Sequence, residues 1–115
     1  MPVFRNLIRI TEDNIEELVP RRGTLLLLAC LRREDGLEAA QAALARAGRW
    51  FDDLAVGFAG EDILAYLMER FHFNATPTFL LLRHGAALAR FSGAARAEDL
   101  IGFVRAQRAA GPEEV

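Results

Sequence analysis

No lysine occurs in this chain of 115 residues; all 14 basic side chains are arginines. Chemistry that needs a lysine amine, Schiff-base formation above all, is therefore excluded. Cysteine appears once, at Cys30, so no intrachain disulfide can form and the fold does not depend on an oxidising compartment. Serine is as scarce. Ser92 is the sole one, with no Ser-His-acid grouping around it. The histidines, His72 and His84, stand apart with no cluster of cysteine or aspartate to complete a ligand set, so no metal is expected. Gly57 and Gly60 stand alone and form no phosphate-cradling loop, and no cofactor is implied. The longest apolar run, Leu25 to Leu31, is far too short to span a bilayer. The N-terminal Met1 to Asn6 has no basic region leading into an apolar stretch, so neither a signal peptide nor membrane insertion is expected, and the expected location is the cytoplasm. A net charge of -2 supplies no field toward nucleic acid.

What remains is a globular profile, 52% hydrophobic and 26% charged. The length fits a single domain over 1–115, with a core at about 6–108 and a flexible tail at 109–115. Arginine without lysine, beside abundant Ala, Leu and Gly, fits the codon usage of a GC-rich, bacterial genome.

Leu7 to Ile10 reads as a short strand, followed by a helix capped by Thr11 and stopped at Pro20, then a turn over Arg21 to Gly23. Thr24 to Cys30 is a continuous apolar run, which suits a strand covered on both faces. Strong helix formers fill Glu34 to Ala47, with Gly48 as the expected stop. A strand over Leu54 to Ala59 leads to a helix opened by Gly60 and carrying Ile63, Leu64, Leu67, Met68 and Phe71 at helical spacing. Thr78 to Leu82 and Ala87 to Phe91 pair across the turn Arg83-His84-Gly85-Ala86, and a last helix covers about Ala97 to Ala109. The order is βαβαβαββα, an α/β class with a mixed sheet. Most aromatics, Trp50, Phe51, Phe58 and Phe71 among them, are expected in the core. Asp52, Asp53, Glu61 and Asp62 read as helix-cap and loop charges.

Phe71-His72-Phe73-Asn74-Ala75-Thr76-Pro77-Thr78-Phe79-Leu80-Leu81-Leu82-Arg83-His84-Gly85, followed by Ala89-Arg90-Phe91-Ser92-Gly93-Ala94, resembles the C-terminal half of thioredoxins. The resemblance implies a thioredoxin-like fold: a mixed five-stranded central sheet flanked by four helices. It also implies a cis peptide bond before Pro77, with the backbone of Thr76 presented to an extended peptide in the manner of strand addition. Ala75 and Phe73 lie on the approach, where family members offer an apolar patch to partners.

The chain departs from the family where the dithiol belongs. Arg32 stands where the nucleophilic thiol would be, Asp35 where the resolving thiol would be, and Leu26 where many thioredoxins bury a proton-shuttling acid. Dithiol exchange needs one thiol to attack and another to resolve. The expectation is a redox-inactive protein-binding module that grips a protein or peptide client through Arg32, Arg33, Phe73, Ala75, Thr76 and Pro77. It is similar to the hydrogenase-maturation thioredoxin-like chaperones, which escort a small-subunit precursor bearing a twin-arginine signal. The alternatives are a monothiol oxidoreductase using Cys30 with glutathione, and a homodimer formed on the edge strand Ala87 to Phe91. For Arg32 to Asp35 the bland reading is a solvated helix start, its acids favoured by the helix dipole.

Overall fold

The computed structural model describes residues 6–18 and 25–110. The expected stop at Pro20, the turn Arg21 to Gly23, the strand start at Thr24 and the tail from Gly111 onward lie outside the described residues. Five strands form one sheet: β1 (Leu7–Arg9), β2 (Leu25–Cys30), β3 (Leu54–Ala59), β4 (Thr78–Arg83) and β5 (Ala86–Ser92), in the spatial order β1-β3-β2-β4-β5. β1, β3 and β2 run parallel; β4 pairs antiparallel with β2, and β5 antiparallel with β4. The helices are α1 (Ile15–Leu18), α2 (Leu37–Trp50), α3 (Leu64–Phe71) and α4 (Ala97–Ala110).

β2 occupies the centre because it is apolar on both faces, and every residue in it is buried. Its alternation divides the core. Leu25, Leu27 and Ala29 join Leu44 and Ala47 of α2 and Leu100 and Val104 of α4 on one side. Leu26, Leu28 and Cys30 join Ile15 of α1 and Leu64, Leu67 and Phe71 of α3 on the other. Each fully buried leucine contributes about 1.5–3 kcal/mol relative to exposure, so β2 ties both layers to the sheet together with β4, whose Phe79 and Leu81 join the first cluster and Leu80 and Leu82 the second.

The helix α2 differs from the sequence reading at both ends. The chain after β2 does not enter a helix at Glu34. It makes a single 3₁₀ turn over Arg33–Asp35, breaks at Gly36 with φ +77°, and only then begins α2. Nor does Gly48 end the helix, which continues to Trp50. Glycine is needed at 48 for a different reason: a Cβ there would lie 2.8 Å from Val56 Cγ2 and 2.9 Å from Asn6 Nδ2. α2 therefore sits against β3 more closely than any side chain would allow.

The β4–β5 hairpin closes with a two-residue loop. Arg83 pairs with Ala86, and His84 and Gly85 both have positive φ, 52° and 83°. That pair of conformations suits the right-handed twist of the strands. β5 is the sheet's outer strand and carries one extra residue, Leu88, because Leu81 faces Ala89 while Leu82 faces Ala87.

Candidate functional site

β2 and β4 leave the sheet at the same end. Cys30 lies across from Thr78, so the segment Leu31-Arg32-Arg33 and the segment Thr76-Pro77 emerge side by side. The Thr76–Pro77 peptide bond is cis. Thr78 is buried, and its hydroxyl donates to the carbonyl of Ala75 at 2.6 Å, which fixes the bend. The carbonyl of Pro77 accepts from the N–H of Gly93 at 2.8 Å, where φ is +102°. Among the described residues, no hydrogen bond engages the main-chain groups of Thr76. Ala75 is exposed, and Thr76 and Pro77 are half-buried.

On the facing segment, the carboxylate of Asp35 accepts from the backbone N–H of Arg32 at 2.7 Å. The N–H of Arg33 donates to Glu61 Oε2 at 3.0 Å, tying the 3₁₀ turn to the chain ahead of α3. Two of the acids at this end thus satisfy orphan backbone donors. Arg32 is half-buried and Arg33 exposed, and neither guanidinium makes a salt bridge among the described residues. Arg32, Arg33, Ala75, Thr76 and Pro77 are therefore brought to one end of the sheet.

Phe73 is not an exposed anchor. It is only 8% exposed and belongs to the cluster between the sheet and α3. The cause is the end of α3: His72 adopts a left-handed conformation with φ 59°, and both its N–H and that of Phe73 donate to the carbonyl of Met68. The reversal turns the next side chain inward. Trp50 departs from expectation in the opposite sense and is 60% exposed.

Cys30 is wholly buried, on the α3 side of the sheet among Leu64, Leu67 and Phe71. Desolvation pushes its thiol from 9.0 up to about 12, so at neutral pH it carries its proton. A thiolate is the nucleophile in exchange, and here none is available. Leu26, where an acid would shuttle protons, is a buried core residue. Among the described residues no three of His, Cys, Asp and Glu converge to hold a metal, and no helix is long and apolar enough to cross a membrane.

No family model matches the chain, and no curated protein matches it.

A groove of about 320 Å³ runs below Thr76, lined by His72, Phe73, Asn74, Ala75, Thr78, Arg90 and Ser92. A second hollow of about 330 Å³ lies on the other side of the 3₁₀ turn, between Arg9, Leu31, Arg33, Leu37, Phe58, Gly60, Glu61 and Asp62. Arg90 and Ser92 were not singled out from the sequence. Their two-residue spacing on an outer strand, with one register position lined up against Thr78, is the signal that points to them.

Proposed function

We propose that this chain is a redox-inactive, thioredoxin-like protein-binding module that holds an extended client segment beside Thr76-Pro77, and that it serves as a chaperone or assembly factor. The observation that carries the reading is the burial of the only thiol. Cys30 is sealed on the α3 side of the sheet, while the segment facing Thr76 offers Arg32 and Arg33. The free main-chain groups of Thr76 suit pairing with an extended strand, and the groove beneath has room for alternate side chains of that strand. The arginines favour clients with carboxylates near the paired stretch. The resemblance to hydrogenase-maturation chaperones makes a hydrogenase small-subunit precursor the first client to try.

The test has two arms. In an insulin-reduction or glutathione-disulfide assay, wild type and Cys30→Ala should both be inert; activity that disappears with the cysteine would establish the monothiol enzyme instead. In a binding assay with the precursor's extended N-terminal segment, Ala75→Arg should abolish binding, because position 75 is exposed and its enlargement blocks the groove without touching the core. Retained binding would sink the proposed surface.

A further inference from the structure

The far end of the sheet carries a cluster that the peptide site does not use. Trp50 closes α2 and is 60% exposed. Arg105 of α4 lies over its indole, 5.8 Å from the ring centre. Beside it, Arg108 lies over Phe51 at 5.5 Å, and its Nη1 holds both oxygens of Asp53 at 2.6 and 2.7 Å. Asp53 is thereby neutralised. Arg46 and Arg49 precede Trp50 on α2, and at about 100° per residue the three share one exposed helix face. Among the described residues Arg46, Arg49 and Arg105 make no salt bridge.

The result is three guanidiniums outside any salt bridge among the described residues, one over a solvent-facing indole and two on the helix face that carries it, with the exposed Asp52 the nearest acid in sequence that no arginine holds, on a chain whose net charge is -2. Tryptophan and arginine are the residues on which interfaces concentrate their binding energy. We infer that this surface docks an acidic peptide segment of a partner protein, a stretch of glutamate or aspartate with one apolar side chain. The carboxylates pair with Arg46, Arg49 and Arg105, and the apolar side chain lies on Trp50. A nucleic acid fits less well. Only one ring is open for stacking, since Arg108 covers Phe51, and the rest of the chain repels phosphate. The surface lies at the end of β3 where the strand begins, whereas the peptide site lies where it ends, so the two are independent.

Trp50 is the only tryptophan, so its emission reports occupancy directly. The full chain is titrated at low salt with a capped Glu-Glu-Leu-Glu-Glu peptide, with its all-glutamine counterpart, and with a single-stranded oligonucleotide. A saturable change is expected with the glutamate peptide alone, weakened by added salt. The double variant Arg46→Glu, Arg49→Glu should lose on the order of tenfold or more in affinity, as removal of interface hot spots does. Arg96→Glu, near the start of α4, should bind as wild type. An unchanged emission, equal response to the glutamine peptide, salt-insensitive binding, or tighter binding of the oligonucleotide would each overturn the assignment. Because salt sensitivity is read on wild type, the outcome does not depend on the variants folding.

Discussion

Arg90 on β5 grips the end of α3: its Nη1 donates to the carbonyl of His72 at 2.7 Å and its Nη2 to that of Phe71 at 2.8 Å. The last carbonyls of a helix have no partner within the helix, and here a planar fork from the neighbouring sheet supplies one. The same contact sets one wall of the groove below Thr76. Arg90→Ala should lower stability by about 1.5 kcal/mol in urea unfolding, the low end of the range for hydrogen bonds to a charged group, because the fork is partly solvated. Arg90→Lys should recover less than half of that loss, since an ammonium is a point donor and not a fork. Full recovery with lysine would show that charge alone matters there.

Gly48 and Gly102 sit in the two helices of the same layer, yet alanine should act oppositely at them. At 48 a new methyl meets Val56 and Asn6 at under 3 Å, and overpacking of that kind costs about 1–3 kcal/mol. At 102 nothing lies within 4 Å, so Gly102→Ala should add about 0.5–1 kcal/mol by restricting the unfolded chain. Thermal unfolding of the two variants beside wild type decides the matter; stabilisation by Gly48→Ala would contradict the close approach of α2 to β3, and destabilisation by Gly102→Ala would contradict the open space beside α4.

The buried thiol of Cys30 makes stability fall in alkali. Its value is 9.0 in the free side chain and about 12 in the fold. Between these limits the unfolded chain has released the proton and the folded chain has not, so rising pH favours unfolding. Below 9 the contribution is fully present. Within the window the slope approaches about 1.4 kcal/mol per pH unit. Cys30→Ala has no thiol to titrate and lacks this dependence. Urea midpoints of both proteins at roughly pH 8 to 11 should therefore converge, or cross, with the variant gaining on wild type as pH rises. Parallel curves would mean that the thiol is solvated.

Phe73 and Ala75, two positions apart, should separate stability from recognition. Phe73→Ala empties space in the core against α3 and should cost about 3–5 kcal/mol. Ala75→Arg places its new side chain in solvent and should leave the unfolding midpoint within about 0.5 kcal/mol of wild type. Chemical denaturation of both, monitored by far-UV circular dichroism, checks the pair. Equal midpoints would refute the inward position of the phenylalanine.

The layers of the fold were legible in the sequence because their signals are local and repeated. The apolar run ending in Leu25 to Cys30 suited a strand covered on both sides, and the stripe Leu64, Leu67, Phe71 suited a helix facing a core. Positions governed by contact with distant segments were not legible. Gly48 looks like a helix stop until Val56 is seen against it, and the break at Gly36 depends on Asp35 turning back to bond Arg32. Phe73 and Trp50 exchanged places between inside and outside for the same reason. The direction of an aromatic at a helix end depends on the turn that follows and on what the adjoining helix presents, neither of which periodicity encodes. The end of the sheet that gathers Arg32, Thr76 and Pro77 was anticipated; the part played there by Arg90 and Ser92 required knowing which strand lies beside which.

The surplus residue at Leu88 has a consequence for assembly. With two residues matched to one, the donor and acceptor sequence along the outer rim of β5 falls out of step halfway, and any strand laid along Ala87 to Phe91 must lose its bonds at that point. A copy of the same chain would meet this fault twice, once on each rim. The strand is thus a poor template for open-ended stacking of further strands along its outer rim.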